Sequence, residues 1–181
     1  MPVLLVNAAH DRLTPLRLAR QIRSHIPQAR LVVLGDGPER AALERRAGAG
    51  VEFLGARPAD EVADWMRRAW LLAVPSVTAR DGDAEGLPIA LVEAAACGVP
   101  ATGTRHSGIP EAIDDGASGF LVPERDAAAL AARIDVLLAS RELRERMGGA
   151  ARRLAEERFD AARQIARLEA LYDGLSGQIR S

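Results

Sequence analysis

Two carboxylates, Glu85 and Glu93, stand with seven residues between them, and Gly86-Leu87-Pro88-Ile89 follows the first. Pro88 suits the first turn of a helix that Gly98 and Pro100 bring to an end. Glu85 then falls in the loop before that helix and Glu93 about two turns inside it. Gly86 lets a ligand approach the backbone closely, and the first N–H groups of the helix have no partner within it. Ionised acceptors at two depths of a cleft suit vicinal hydroxyls, each such hydrogen bond contributing about 1.5–3 kcal/mol. The same residue types also serve as a solvated loop glutamate and as a glutamate favoured by the helix dipole, and residue type alone does not separate the two readings.

A second loop, Arg105-His106-Ser107-Gly108-Ile109-Pro110-Glu111, leads through glycine into another helix and could receive an anion or a hydroxyl. His106 is a candidate for proton transfer, although a single loop histidine is more often exposed or a cap. His10 and His25 have no pattern around them. Gly35-Asp36-Gly37-Pro38 is a tight turn whose glycines need serve nothing beyond chain reversal. The single cysteine, Cys97, excludes an internal disulfide or a thiolate metal cluster, so no metal site is expected. Every basic side chain apart from the histidines is Arg, which removes Schiff-base chemistry and a Walker-type lysine.

The elements that must position these groups alternate along the chain. Apolar runs at Val3–Val6, Arg30–Leu34, Val51–Leu54, Trp70–Val74, Pro100–Thr104 and Gly119–Val122 read as buried parallel strands. Between them lie helical spacings, among them Leu16, Ala19 and Ile22; Val62, Met66 and Ala69; and Leu130, Ile134, Leu137 and Leu138. Two further helices, about Arg141–Arg158 and Asp160–Ile179, close the chain. The second carries Ile165, Leu168, Leu171, Tyr172 and Leu175 on one side, a stripe that must bury against something. Strict alternation predicts an α/β, Rossmann-like, doubly wound parallel sheet of about six strands. Ligands in such sheets bind outside the carboxyl ends of the strands, and the candidate residues follow strands.

The 181 residues suffice for one domain, 48% of them apolar, with 24 basic groups against 25 acidic. So even a balance removes the usual argument for a nucleic-acid partner. No apolar run approaches the length of a membrane span and no leader is apparent, so a soluble cytoplasmic protein is expected.

Taken in order, several strings resemble the C-terminal half of a family 4 glycosyltransferase. They are Gly35-Asp36-Gly37-Pro38-Glu39-Arg40, Val51-Glu52-Phe53-Leu54-Gly55, Pro75-Ser76, the Glu85 and Glu93 pair, Gly98-Val99-Pro100, His106-Ser107-Gly108-Ile109-Pro110-Glu111, and Asp115-Gly116 through Gly119-Phe120-Leu121-Val122-Pro123. The resemblance runs from about Arg30 to Tyr172, and the loop from Arg80 to Pro88 is similar to that of bacterial members that build exopolysaccharide of the colanic-acid type. It implies one half of a GT-B fold, retaining transfer of a hexose from a UDP- or GDP-sugar to a glycan or lipid-linked acceptor, and neither metal nor cofactor. By the same matching, Glu93 holds the ribose hydroxyls and Glu85, the catalytic position, contacts the transferred sugar near its reacting carbon. Gly86, Leu87, Pro88 and Ile89 bring the backbone to the sugar and diphosphate, and Phe53, Leu54 and Gly55 begin the base pocket. His106, Ser107 and Gly108 form the second substrate loop.

The family's reaction cleft lies between two domains, so the resemblance also implies a partner: an N-terminal acceptor domain absent here, or a second copy docking through the C-terminal helix. In the complete enzyme it implies a peripheral position at the inner membrane. The N-terminal stretch departs from the pattern. The family opens this domain with Gly-Arg-Leu and then a Lys, whose cations neutralise the leaving diphosphate, whereas Val6 to Pro15 offers only Arg12. Pro2–Val6, His10–Pro15 and Ile26–Leu34 resemble instead the late βαβ unit of α/β-hydrolases, with Asp11 at the acid position. Hydrolysis is not expected, because no Gly-x-Ser-x-Gly occurs and Gly35-Asp36-Gly37 replaces the histidine. Residues 1–181 are thus expected to form a single nucleotide-sugar-binding domain, with 1–34 an atypical first βαβ unit and 160–181 the C-terminal helix. The alternative is a non-catalytic or recombined Rossmann-like domain without turnover by itself.

Overall fold

The computed structural model describes residues 3–7, 30–37, 40–47, 50–78, 82, 84 and 86–179. Six strands, β1 (Val3–Asn7), β2 (Arg30–Leu34), β3 (Val51–Gly55), β4 (Leu71–Val74), β5 (Ala101–Thr104) and β6 (Gly119–Val122), form one sheet in the order β3-β2-β1-β4-β5-β6. Every pairing is parallel. β1 therefore lies between β2 and β4, where the strand order reverses and a crevice opens beyond the carboxyl ends. The helices among the described residues are α1 (Arg40–Arg46), α2 (Ala59–Arg68), α3 (Ile89–Ala96), α4 (Ile109–Ala112), α5 (Ala127–Ala139), α6 (Arg141–Arg158) and α7 (Ala161–Ile179). The helix expected around Leu16, Ala19 and Ile22 lies outside the described residues.

Burial on both faces explains why the strands read as unbroken apolar runs: β4, β5 and β6 are buried at every position. Successive residues alternate between two cores. Leu71, Ala73, Phe120 and Val122 face one side with Leu130, Ile134, Leu137 and Leu138 of α5 and Met147 of α6. Leu72, Val74 and Leu121 face the other with Met66 of α2, Leu91 and Ala94 of α3, and Ile109 and Ala112 of α4. The long helices start at side-chain caps, Asp126 accepting the Ala129 N–H at 2.9 Å and Ser140 the Leu143 N–H at 3.1 Å.

α6 packs on α3 through a seam of small residues, Ala95 against Ala151 and Ala155. At its end the backbones touch, and a Cβ on Gly148 would run into the Gly98 carbonyl oxygen. The seam fixes α3, whose first turn borders the crevice. The stripe on α7 is uncovered: Ile165, Leu168, Leu171, Tyr172 and Leu175 are all exposed by half or more. Among the described residues no helix is long and apolar enough to cross a membrane.

Candidate functional site

The loops after β4, β5 and β6 converge beside the strand-order reversal. Leaving β4, Pro75 is buried, and the chain runs through Ser76 and Val77 to Thr78. The Thr104 hydroxyl, at the end of β5, donates to the Ser76 carbonyl at 2.5 Å and ties the two strand ends together. α3 then starts at Ile89 behind Pro88, with no side-chain cap and no acid in its first turn. The Leu91 N–H closes onto the Pro88 carbonyl at 3.0 Å, and the amides before it lack an intrahelical partner. A helix start without its own acceptor suits an anion.

Four of the candidate residues lie at this start. Gly86 is exposed, Leu87 half-buried against the α2 and α3 core, Pro88 buried, and Ile89 74% exposed. Glu93 is the fifth residue of α3, one turn inside it rather than the two expected, because the helix begins at Ile89. That depth puts Glu93 one turn behind Ile89 on the same side of the helix. Its side chain is exposed and has no hydrogen-bond or ionic partner among the described residues. Glu85, Arg12 and Asp11 lie outside the described residues.

The β5 loop reaches the same place. A Cβ on Gly108 would stand 3.1 Å from the Leu87 Cβ and 3.2 Å from its backbone nitrogen, so the two candidate loops are in direct contact. Ser107 is exposed in the left-handed region at φ 43°, and the helix that follows, α4, is a single turn. One turn is too short for the helix-start anion site expected at this loop. His106 is neither exposed nor a cap: it is 2% exposed, with Nδ1 at 2.8 Å from Glu124 Oε1.

Glu124 organises this corner. Its carboxylate accepts the Thr78 N–H at 3.0 Å and the Thr78 hydroxyl at 3.2 Å, and meets Arg125 Nη1 at 3.2 Å. Arg125, itself at φ 61°, reaches back to donate to the Thr78 carbonyl at 2.5 Å. Burial pushes the Glu124 carboxyl upward, but the hydrogen bonds from His106 and Thr78 outweigh it and hold the group below the ordinary carboxylate range. An ionised Glu124 requires the proton on His106 Nδ1. His106 Nε2 is buried and has no hydrogen-bond partner among the described residues. Sequence reasoning passed over Glu124 because the matching motif ends at Pro123. Its position two residues past β6 was the available signal.

Phe53, Leu54 and Gly55 end β3, the outermost strand. The Phe53 and Leu54 side chains are half-buried at the margins of opposite cores, and Gly55 is buried. Arg40 donates to the Phe53 carbonyl at 3.4 Å while paired with Glu44 and Asp36. Three strand spacings, about 14 Å, separate this end from β4. Phe53–Gly55 and the α3 start lie on opposite sides of the strand-order reversal. Among the described residues no group of three His, Cys, Asp or Glu side chains is arranged to hold a metal ion.

This architecture is shared with GT-B glycosyltransferases of known structure. Residues 13–154 match the family described as glycosyl transferases group 1, and the chain belongs to that family. The match reaches back to residue 13, well before Arg30, and so takes in most of the stretch that also resembles a hydrolase. A relative from Salmonella typhimurium named as a colanic acid biosynthesis glycosyltransferase, WcaL, is 39% identical over 146 residues, 74% of this chain and 36% of its own length. The chain thus spans about a third of the curated relative. Sucrose-phosphate synthase from Thermosynechococcus elongatus superposes with a TM-score of 0.78 at 23% identity, over 98% of this chain and 46% of that one. Anabaena HepE, solved with UDP and glucose, superposes at 0.75 with 22% identity, over 93% of this chain and 48% of that one.

Proposed function

We propose that this chain is the donor-binding domain of a retaining glycosyltransferase that moves a hexose from a UDP- or GDP-sugar to a glycan or lipid-linked acceptor in exopolysaccharide assembly. The observation that carries the reading is the start of α3: uncapped, free of acids in its first turn, and followed one turn later by the exposed Glu93, which has no partner among the described residues. Backbone N–H groups there would meet the diphosphate, and the Glu93 carboxylate would accept from the ribose hydroxyls. The base would sit toward Phe53–Gly55, so that the nucleotide lies across the crevice. Glu85, four residues before Ile89 in sequence, would contact the sugar near its reacting carbon. Arg12 would supply part of the charge that eases departure of the nucleoside diphosphate. No metal or cofactor is required in this scheme.

HepE was solved with UDP and glucose, which supports a nucleotide-sugar donor for its fold relatives, and the name of the Salmonella relative supports the polysaccharide assignment. Turnover would need an acceptor domain closing over the crevice, and the uncovered stripe on α7 is suited to contact that domain or a second copy. The complete enzyme would work in the cytoplasm, peripheral to the inner membrane. Isothermal titration with UDP, GDP and ADP tests the reading. Saturable binding of UDP or GDP is expected; a folded chain that binds none of the three contradicts it.

A further inference from the structure

The residues that join the three loops lie outside the donor contacts, yet they hold both ends of the segment that carries those contacts. Thr78 closes the described stretch that leaves β4, and Gly86 and Leu87 open the one that enters α3. Its N–H, hydroxyl and carbonyl are all engaged from β6, the first two by Glu124 and the third by Arg125. Glu124 is in turn gripped by His106 of the β5 loop at 2.8 Å. Two residues beyond His106, Gly108 presses on Leu87 at the other end of the same segment. The three-residue stretch His106-Ser107-Gly108 therefore touches both ends, one through a carboxylate and one through direct backbone contact.

The ring of His106 is placed by one side only. Nδ1 faces Glu124 at 2.8 Å and the Thr78 hydroxyl at 3.5 Å, whereas Nε2 has no partner among the described residues. Turning the ring would forfeit its polar contacts, and a buried imidazole deprived of them is costly. Ser107, held at a positive φ that non-glycine residues seldom adopt, converts the ring position into that of Gly108.

We infer that His106 and Glu124 are positioning residues for donor binding, setting the Leu87–Ile89 backbone through the contact between Gly108 and Leu87. The inference rests on the donor-domain reading above. Neither side chain touches the donor in this scheme; the pair acts by holding the α3 start where its N–H groups meet the diphosphate.

The test compares wild type with His106→Leu, His106→Asn and Glu124→Gln, using UDP and GDP as probes well below each variant's melting temperature. Asn places an N–H where Nδ1 stood and so keeps the bond to Glu124; Leu cannot. Amide exchange is followed in parallel without ligand. The expected result is a loss of nucleotide affinity of about tenfold or more for His106→Leu and Glu124→Gln, with His106→Asn within about threefold of wild type. Exchange at Thr78, whose N–H Glu124 accepts, should rise in the first two and not in the third, and the ligand-free amide chemical shift of Leu87 should move in the same two. Wild-type affinity in the two disrupting variants, despite a lower melting temperature, would mean a merely structural pair and overturn the inference alone. An unmoved Leu87 amide shift would overturn it as well. Failure of wild type to bind either nucleotide would overturn the donor-domain reading and the inference with it.

Discussion

Glu93 and Glu124 both border the carboxyl edge of the sheet, and their surroundings give them opposite roles. Glu93 is exposed and unpartnered among the described residues, so its removal leaves no buried group stranded. Glu93→Ala should weaken nucleotide binding by about 1.5–3 kcal/mol and leave the melting temperature within about a degree of wild type. Calorimetric titration and a thermal melt check both halves. Glu124 is saturated by Thr78, His106 and Arg125. Its carboxyl is pushed up by burial but held below the ordinary 4.5 by the His106 and Thr78 hydrogen bonds. A folded-state value below the unfolded one means stability that is present above the unfolded value and lost as pH falls through the folded one. Melting curves between about pH 6 and about pH 3 should show this acid loss, and it should shrink in Glu124→Gln, which is already destabilised at neutral pH.

At the scale of elements, α3 is determined by what packs behind it. Gly148 meets the Gly98 backbone, and Ala95, Ala151 and Ala155 keep the helices close. Gly148→Ala should cost about 1–3 kcal/mol or more in chemical denaturation, since backbone rather than a flexible side chain stands in the way of the new methyl. α6 fills the range expected for it, Arg141–Arg158, and the strands were legible because burial on both faces leaves continuous apolar runs. The seam was not, because Gly98 reads locally as a helix end and its partner lies fifty residues away. His106 was misread for the same reason: nothing near it in sequence reveals that Glu124 stands against its ring. The start of α3 was legible through Gly86 and Pro88, whose spacing to Gly98 and Pro100 is local. Glu93's depth was overestimated because Pro88 stands outside the helix rather than within its first turn.

For the whole molecule, the sheet order and the family match describe a parallel α/β domain of the glycosyl transferases group 1 family that spans about a third of a curated relative's length. Leu168 and Leu171 of the stripe on α7 are exposed by half or more. Leu168→Gln with Leu171→Gln should therefore leave the melting temperature nearly unchanged while reducing binding of a hydrophobic dye. A large fall in melting temperature would show instead that the stripe supports the domain's own fold. The central claim, a nucleotide-sugar site across the crevice at the start of α3, is tested most directly by a backbone amide NMR titration with UDP and GDP. The account predicts saturable shifts with one of them, concentrated at Leu87, Ile89 and Glu93 and extending to Ser107 and Gly108. A well-dispersed spectrum that neither nucleotide moves, or shifts confined to residues far from α3, would contradict it.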